Sequence, residues 1–506
     1  MTNSLWIASS KGKRFENLNK DINTDYLVVG GGITGITTAY LLCKEGANVT
    51  LVDANFIGYG ASGRNTGKIT PQHNLIYNKI KTKHGISAAT QYYNANNEAL
   101  DLIEKIITEN NIDCNFERLP SYLFTAKDGW VEKLQDELNV CNEIGIDCEY
   151  IDNIPIPIDS KAAIKFNNTA QFNPKKYIDS LILEVLKLGC TIYENTPMQT
   201  LEKGHPCKVK SSNGKIIYAN KVLICSHVPF YDDLSLYFAR LKPERSYVVA
   251  GKYNGDFPKA TFINVEEPTI SLRTYTDENE KLLLIAGSKH KVGHDNNIDH
   301  YYGLKEYGNK TFGIDEYKYQ WSAQDYITVD HIPYVGFINS ARDNIYVATG
   351  YAKWGMSNGT AAAIILKDLV LKNDFTYSDT FNPSRKKGQV SLESIKENLD
   401  VGYQYIVGKL KFASKDMPEK ETGKVVTLHH RKYGAYMDSN EKLHIVDIKC
   451  THLGCELKWN QDDKTWDCPC HGSRFGYDGS VFEGPANIPL NHYGDSEGNE
   501  INPNLL

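Results

Sequence analysis

The order of apolar and polar residues near the amino end of the chain predicts a compact supersecondary unit. The run "YLVVG" is continuously apolar and predicts a buried strand. The next segment, "ITGITTAYLLCKEG", predicts a helix that ends at Gly46, and the apolar run "NVTLVD" predicts a second strand that closes on Asp53. Residues 26–53 are therefore predicted to form one βαβ unit.

Helices and strands follow one another in mixed order over the next part of the chain. Helical patterns dominate residues 91–145. Residues 174–189 predict a helix that starts with Pro and stops at Gly, and this helix leads into the strand "CTIYENT". Residues 206–226 predict a hairpin turned at "NG" and followed by a buried strand.

The pattern changes twice towards the carboxyl end. Residues 246–287 alternate in the manner of β-strands, and residues 344–350 predict a buried strand that runs into a helix starting near Gly359. Residues 373–389 are polar and turn-rich and predict a linker, followed by a connecting helix to about Phe412 and a second hinge at "ASKDMPEKETGK". From about Thr422 onward, short strands and Gly-rich turns surround a group of cysteine and histidine residues.

Composition and charge exclude several classes of protein. The chain has 506 residues, of which 41% are hydrophobic and 23% charged, as in ordinary soluble domains. The net charge of −6 argues against a nucleic-acid partner, because phosphate binding needs a basic face. No apolar run approaches the roughly 20 residues of a membrane helix. Since the amino end lacks an apolar signal region, a cytoplasmic protein is expected.

Seven cysteines are scattered along the chain, and we expect them to be small buried side chains in a reducing compartment. They are Cys43, Cys114, Cys141, Cys148, Cys190, Cys207 and Cys225.

The stretch "VVGGGITG" carries three glycines in the spacing G-x-G-x-x-G, at Gly30, Gly32 and Gly35. Such a triplet is weak evidence alone, but here it follows a strand, opens a helix and precedes an acidic strand end at Asp53. The glycines allow a tight turn and close approach of a pyrophosphate, and the helix amino end attracts the anion. The context therefore predicts a dinucleotide site, with Asp53 on the adenosine ribose.

Two short stretches near the carboxyl end, "CTHLGC" and "CPCHGS", hold four cysteines and two histidines. Cys450 and His452 lie in the first stretch, and Cys468 and His471 in the second. Zinc could bind two thiolates and two imidazoles, although zinc-finger spacing usually pairs like with like. A [2Fe–2S] cluster with two cysteines on one iron and two histidines on the other takes one of each from two loops, and is the favoured interpretation.

Four blocks of the chain resemble the D-amino-acid-oxidase-type flavoprotein family, which includes glycine and sarcosine oxidases. The blocks are the glycine turn with its strand, "GYGASGRNTGKI", "WSAQDYITVDHIPYVG" and "NIYVATGYAKWGMSNG". This resemblance implies FAD and an oxidoreductase, and Ala323 stands near the position where some relatives attach the flavin through cysteine, so a noncovalent flavin is expected. The residues that the resemblance assigns to FAD are Gly30, Gly32, Ile33, Thr34, Gly35, Asp53, Ala61, Ser62, Gly63, Arg64, Asn65, Thr66, Met198, Gly350, Trp354, Gly355 and Met356.

The two cysteine–histidine stretches resemble the two boxes of Rieske domains residue for residue. The resemblance implies Cys450, His452, Cys468 and His471 as ligands of a [2Fe–2S] cluster and a disulfide between Cys455 and Cys470. It also implies that Ser473 donates to a bridging sulfide and that "GPA" at residues 484–486 covers the cluster. Phe475 replaces the tyrosine of high-potential members, so we expect the middle of the range of about −150 to +300 mV rather than its top.

Candidate residues for the substrate are less clearly marked. The resemblance suggests Arg273 and Tyr275 in "SLRTY" for a substrate carboxylate, and Lys353 or Lys68 as a cation beside the flavin. His290 and His294 were further candidates for proton transfer near neutral pH.

Together these observations predict an α/β and α+β protein: a Rossmann-like FAD-binding domain with an inserted antiparallel-sheet substrate domain, and a carboxyl-terminal all-β Rieske domain. The predicted boundaries are 1–372 for the flavoprotein part, with FAD-binding segments at about 24–90, 150–235 and 325–372 and substrate segments at about 91–149 and 236–324, then a linker at 373–420 and the Rieske domain at 421–506.

The expected function is oxidation of an amino acid or amine C–N bond. Because FAD takes two electrons and the cluster carries one, the electrons are expected to leave singly, through the exposed histidine end of the cluster, for a carrier protein or quinone. The alternatives are a flavin reductase fed by the Rieske domain, and an electron-transfer or redox-sensing protein without a small substrate.

Overall fold

The computed structural model describes residues 4–294, 299–341, 344–372, 376–385, 400–404, 414 and 416–493. Its strands are β1 (Ile22–Val29), β2 (Val49–Val52), β3 (Lys68–Ile69), β4 (Glu117–Thr125), β5 (Cys148–Ile151), β6 (Ala162–Gln171), β7 (Thr191–Tyr193), β8 (Met198–Glu202), β9 (Cys207–Ser211), β10 (Ile216–Ile224), β11 (Leu241–Lys252), β12 (Thr261–Asn264), β13 (Ser271–Asp277), β14 (Glu280–Lys291), β15 (Tyr317–Thr328), β16 (Tyr334–Phe337), β17 (Ile345–Thr349), β18 (Gly423–Leu428), β19 (Arg431–Met437), β20 (Leu443–Asp447), β21 (Lys458–Asn460), β22 (Thr465–Asp467), β23 (Arg474–Gly476) and β24 (Val481–Glu483).

Its helices are α1 (Leu5–Ala8), α2 (Ile33–Lys44), α3 (Tyr77–His84), α4 (Ile86–Glu109), α5 (Val131–Ile144), α6 (Pro174–Lys187), α7 (Tyr237–Arg240), α8 (His300–Phe312), α9 (Gly355–Lys372) and α10 (Ser378–Phe381), with short 3₁₀ turns at Ala61–Gly63 and Asp128–Trp130. None of the helices within the described ranges is long and apolar enough to cross a membrane.

The first sheet has a parallel centre in the order β17-β10-β1-β2-β7, with β16 antiparallel at one edge. The strand β9 pairs with β10, and β8 pairs with β9. The strand–helix–strand unit predicted from the apolar runs is confirmed as β1, α2 and β2. A core of buried side chains fills one face of this sheet and includes Ile36 of α2, Ile103 of α4 and Leu366 of α9. The buried parallel centre places the strand ends, and the turns that follow them, along one edge.

The second sheet has nine strands in the order β15-β11-β14-β13-β12-β4-β6-β3, with β5 paired to β6. All of its pairs are antiparallel except β12 with β4. The sequence placed residues 150–235 with the first sheet, but β6 and the end of β5 belong to the second one. The short strand β3, inside the predicted segment 24–90, also joins the second sheet.

The remaining predictions of helices and strands have different outcomes. The helical stretch predicted for residues 91–145 is interrupted by β4, because this strand is fixed by pairing with distant β6 and β12 rather than by its own periodicity. Most of the predicted connecting helix that ends near Phe412 lies outside the described residues. The predicted hairpin is confirmed as β9 and β10, and the helix expected near Gly359 begins at Gly355.

The carboxyl-terminal part contains two small antiparallel sheets, β18-β19-β20 and β21-β22-β23-β24. Its core holds Trp466, Phe475 and Leu457 together with the buried cysteines of the two cysteine–histidine loops. These short strands present the loops between β20 and β21 and between β22 and β23 on one side.

Candidate active site and metal centre

The two cysteine–histidine loops are each closed by hydrogen bonds within the loop. The amide of Cys450 donates to the carbonyl of Cys455 at 2.8 Å, and the amide of Cys468 donates to the carbonyl of Ser473 at 2.8 Å. A disulfide joins Cys455 to Cys470 and so ties the two loops together, as the resemblance implied. The pairing leaves one thiol and one imidazole of each loop for another partner.

The remaining thiols and imidazoles lie in two pairs. A hydrogen bond with the Cys468 thiol lowers the pKa of Cys450 to about 7, against the effect of burial, so the two sulfurs lie side by side. The rings of His452 and His471 have centroids 5.2 Å apart. The Nδ1 atom of each imidazole is buried and has no hydrogen-bond partner. Buried polar atoms without partners are rare, so this donor set fits a metal group with sulfur ligands on one side and nitrogen ligands on the other.

The glycine turn after β1 is built for close approach. Gly30 has a φ of +108°, which a side chain would strain, and a Cβ on Gly35 would stand 1.8 Å from the carbonyl oxygen of Gly30. The Asp53 carboxylate accepts from the amides of Gly31 and Asn55, each at 2.7 Å. Burial raises the pKa of Asp53 to about 6. The turn thus offers the positive end of α2 to a pyrophosphate, with a carboxylate beside it.

A cavity of about 1360 Å³ extends from this turn to the cysteine–histidine loops, and its volume leaves room for a dinucleotide. His471 and Cys470 line the same cavity as the glycine turn. The predicted FAD residues that line it are Gly30, Gly32, Ile33, Thr34, Asp53, Ala61, Ser62, Arg64, Asn65, Thr66, Met198, Trp354, Gly355 and Met356.

Three predicted FAD residues, Gly35, Gly63 and Gly350, are not among the residues that line this cavity. A Cβ on Gly63 would stand 2.2 Å from the Gly58 carbonyl oxygen, and one on Gly350 would stand 2.3 Å from Thr328 Cγ2. These glycines allow close packing behind the cavity wall, and their assignment to FAD stays a prediction.

Of the four predicted substrate residues, Lys68 and Lys353 line the cavity. The Lys68 amine donates to the Ser271 hydroxyl and lies 5.9 Å from the centroid of the Trp354 ring. Burial, and then the charge of Arg273, lowers the pKa of Lys68 to about 7. Lys353 forms an ion pair with Glu244 of β11 at 3.1 Å.

The other two predicted substrate residues do not reach the cavity. Arg273 is buried and donates to the carbonyls of Thr66 and Gly67 at 2.8 and 2.7 Å, so its guanidinium supports the loop before β3. Tyr275 accepts from the Asn173 amide at 2.9 Å. These contacts turn both side chains of β13 to the loop side of the cavity wall, and their assignment to a substrate carboxylate stays a prediction.

Comparison with known proteins agrees with the two sites. The family described as FAD dependent oxidoreductase matches residues 25–369, and the one described as Rieske [2Fe-2S] domain matches residues 409–494. The chain belongs to the FAD dependent oxidoreductase family. Its cofactors are FAD and, in the carboxyl-terminal domain, a Rieske [2Fe–2S] cluster, as the motifs predicted; the zinc alternative does not apply to a Rieske domain.

Some relatives match nearly the whole chain, and others match about three quarters of it. The YhfW protein of Bacillus subtilis (strain 168), whose name describes a Rieske 2Fe-2S iron–sulfur protein, is 40% identical over 96% of each chain. Gamma-glutamylputrescine oxidoreductase of Escherichia coli (strain K12) is 25% identical over 75% of this chain and 91% of its own. L-Proline dehydrogenase from P. horikoshii shares the fold with a TM-score of 0.61 and 17% identity over 73% of this chain and 98% of its own.

Phe238, which the sequence analysis did not identify, covers the histidine end of the Rieske site. Its ring lies edge-on to His452 and His471, with centroids 5.0 and 4.9 Å away. This end was expected to be the exposed tip of the molecule, but His471 is only 6% exposed and faces the flavoprotein part, while His452 is half-buried. Phe238 lies far from both histidines in sequence, so no local pattern could reveal the contact.

The resemblance also placed Ser473 and the stretch at residues 484–486 beside the cluster. The Ser473 hydroxyl forms a hydrogen bond with the Cys450 thiol and accepts from the Ala486 amide at 3.0 Å. The covering stretch at residues 484–486 is thereby tied to the second loop.

His73 is a second cavity residue that the sequence analysis missed. Its ring stacks on Trp354 at 4.9 Å, and its nitrogens contact the hydroxyls of Tyr92 at 2.6 Å and Ser357 at 2.9 Å. Burial lowers the pKa of His73 to about 3, so this imidazole stays neutral. His290 and His294 do not line the cavity; His290 stacks on His300, and His294 lies 3.5 Å from Asp400.

Proposed function

We propose that this chain is a dehydrogenase that oxidises an amino acid or amine at a C–N bond and sends the electrons through its Rieske domain to an external one-electron acceptor. The observation that carries the proposal is the shared cavity, which is lined by the flavin loops and by His471. When bound, FAD would take two electrons from the substrate and the cluster would pass them on singly. The domain limits 1–372, 373–420 and 421–506 remain part of this proposal.

The substrate class is supported by the fold and by the relatives. Among the relatives, the names gamma-glutamylputrescine oxidoreductase and L-proline dehydrogenase each describe oxidation of a nitrogen compound. The cavity has room beyond that of an ordinary small-molecule pocket of roughly 300 to 1,000 Å³, so it could hold a substrate beside FAD. The wall nearest to β3 offers Lys68, whose lowered pKa suits acceptance of a proton near neutral pH.

Residues around the cavity divide the other tasks. The ion pair of Lys353 with Glu244 places a cation at the cavity beside Trp354. The neutral His73 fixes the Trp354 ring by stacking, and its contact with Ser357 ties the loop between β3 and α3 to the start of α9. Phe238 excludes water from the histidine end of the Rieske site. These roles orient the reactants and keep the electron path dry.

Anaerobic mixing of the holoprotein with a panel of amines, N-alkyl amino acids and amino acids tests the proposal. We expect one class to bleach the flavin absorbance, followed by the spectrum of the reduced cluster. The variant Cys468→Ser is the matched control, in which the flavin bleaches and no iron signal follows. Flavin bleaching with a cluster that stays oxidised would refute electron flow through the Rieske domain. Bleaching only by reduced carrier proteins would favour the reversed direction instead.

A further inference from the structure

A buried ion-pair network joins the nine-stranded sheet to the Rieske domain. Arg245 of β11 is fully buried and donates to the Asp463 carboxylate at 2.5 Å and to the side-chain oxygen of Gln324 at 2.8 Å. The same Asp463 oxygen accepts from the Ser322 hydroxyl at 2.6 Å. Asp463 lies in the turn between β21 and β22, so these bonds cross from one domain to the other.

The network continues to both ends of the second cluster loop. Asp467 directly precedes Cys468, and Arg474 directly follows Ser473. Arg474 donates to Asp463 at 3.1 Å and lies 3.4 Å from Asp467. Arg245 is itself 3.7 Å from Asp467. The guanidinium of Arg245 thus contacts Asp467 at one end of the loop directly, and Asp463 links it to Arg474 at the other end.

The loop backbone itself rests on the same two strands. The side-chain amide of Gln324, on β15, donates to the carbonyl of Gly472 at 2.7 Å. Gly472 has a φ of +83°, and a Cβ at this position would stand 2.4 Å from the Cβ of Pro243. Only glycine permits this approach, which brings the residue after His471 into direct contact with β11.

We infer that Arg245 and Gln324 are positioning residues that hold the second cluster loop in one fixed docked position. This position on β11 and β15 is called the seat, and it lets electrons reach the cluster without movement of the Rieske domain. The inference rests on the proposed function for the direction of electron flow. A buried ion pair adds little net stability because both charges lose water, but its directional bonds select one arrangement of the partners. Four polar contacts across the domain boundary and one glycine contact define a single docked position.

The network also has an electrostatic consequence. Arg245 and Arg474 balance Asp463 and Asp467, so the seat is neutral as a whole. Loss of the Arg245 charge would leave a buried negative charge beside the cluster loop. That charge opposes the addition of an electron, and we expect a lower reduction potential of the cluster. Loss of the uncharged Gln324 contact should leave the potential unchanged.

The test uses holoprotein with the variants Arg245→Met and Gln324→Leu. Lys464→Met is the matched control, because Lys464 lies next to Asp463 but pairs with exposed Glu421 inside the Rieske domain. A photosensitiser reduces the flavin under anaerobic conditions, and the transfer of the electron to the cluster is timed at increasing glycerol concentration. Potentiometry of the cluster and amide hydrogen exchange of peptides containing Pro243 or Gly472 are measured on the same samples.

In the unaltered protein and in Lys464→Met, we expect a transfer rate that does not depend on viscosity. In both seat variants, electron transfer from the flavin to the cluster should be slower by at least about tenfold, because the reacting groups are misplaced. Hydrogen exchange should be faster on both sides of the contact. Arg245→Met alone should lower the potential. Since Gln324→Leu removes no charge, it carries the test if Arg245→Met does not fold.

Two results would overturn the inference. One is a rate in the unaltered protein that falls in proportion to viscosity, which would mean that the domain moves in each transfer. The other is transfer in Gln324→Leu as fast as in the unaltered protein. If the cluster of the unaltered protein is never reduced by the flavin, the proposed function fails instead, and the hydrogen-exchange comparison alone then decides whether the seat exists.

Discussion

The ring of Phe238 meets the imidazole of His471 edge-on, with centroids 4.9 Å apart, and so an aromatic side chain of the flavoprotein part closes off a ligand of the Rieske cluster. The same ring is 5.0 Å from His452. The contact makes His471 part of an internal surface that faces the cavity of the flavin loops, while His452 stays half-buried. It also sets how much water reaches the cluster.

Replacement of Phe238 by alanine should raise the reduction potential of the cluster. Two thiolates and two sulfides neutralise two ferric ions, so the added electron creates a net negative charge that water stabilises. Opening the histidine end to water therefore favours the reduced form. Potentiometry followed by the cluster's electron paramagnetic signal measures the shift. Phe238→Leu keeps an apolar cover and should change the potential less; an equal shift in both variants would contradict this explanation.

Replacement of Cys468 by serine should remove iron and acid-labile sulfide from the protein while FAD remains bound. The thiol of Cys468 is buried beside that of Cys450, whereas the FAD residues belong to the other part of the cavity. Iron, zinc, sulfide and flavin analysis of the purified variant measures this outcome. Cys148→Ser, at a half-buried site on β5, is the control and should keep both cofactors. Zinc in the unaltered protein, in place of iron and sulfide, would contradict the assignment.

The pH dependence of flavin reduction should show the titration of Lys68. Burial and then Arg273 lower the pKa of this amine to about 7. Only the neutral amine, present above that pH, can accept a proton, so the rate of flavin reduction should rise as the pH increases through about 7. Stopped-flow measurement with a substrate from the anaerobic panel shows the profile.

Lys68→Met should lose this rise, and Lys68→Arg, which keeps the charge but does not deprotonate, should lose it as well. A rise at the same pH in both variants would assign the titration to the substrate or to another group.

Replacement of Gly35 by alanine should abolish FAD binding. The new Cβ would stand 1.8 Å from the Gly30 carbonyl oxygen, so the turn that precedes α2 must open. Such overpacking typically lowers the free energy of unfolding by about 1 to 3 kcal/mol. Flavin content after purification and chemical denaturation measure both effects. Gly303→Ala, in α8 with nothing within 4 Å of its Cβ, should behave like the unaltered protein.

Replacement of Arg385 by methionine should destabilise the flavoprotein part by about 3 to 5 kcal/mol, as for loss of one partner from a buried ion pair. Arg385 donates twice to Asp330, at 2.7 Å each, and both side chains are buried. Chemical denaturation measures the loss. Lys310→Met, which breaks an exposed pair with Glu306, should leave the stability almost unchanged, because water already screens this pair. Equal effects of the two variants would contradict a structural role for the pair.

The contribution of the Asp330–Arg385 pair to stability should fall as the pH falls. Burial alone would raise the pKa of Asp330, but the hydrogen bonds from Arg385 hold it below its ordinary value. A carboxylate with a lowered pKa in the folded state stabilises the protein above about pH 4 and loses that contribution as the pH falls further. Acid denaturation should therefore begin at a higher pH in Arg385→Met than in the unaltered protein.

Prediction from the sequence worked where a few adjacent residues determine the outcome. The turn at Gly30, the βαβ unit and the two Rieske boxes are local, since each depends on backbone conformation or on ligands within one short loop. The strand β4 was missed because its pairing partners are distant in sequence. The resemblance assigned Arg273 to the substrate, and the period of two placed it on the same face of its strand as Tyr275, but neither says which layer covers that face.

Residue types and short spacings were enough to predict the two cofactor sites and their order along the chain, because glycine conformations and metal ligands follow from them. How the two sites face each other depends on the packing of distant parts of the chain. Phe238, Arg245 and Gln324 meet the Rieske loops across long separations in the chain, and such contacts arise from the packing of whole domains. A pattern of apolar and polar positions specifies which face is buried, but not the surface that buries it.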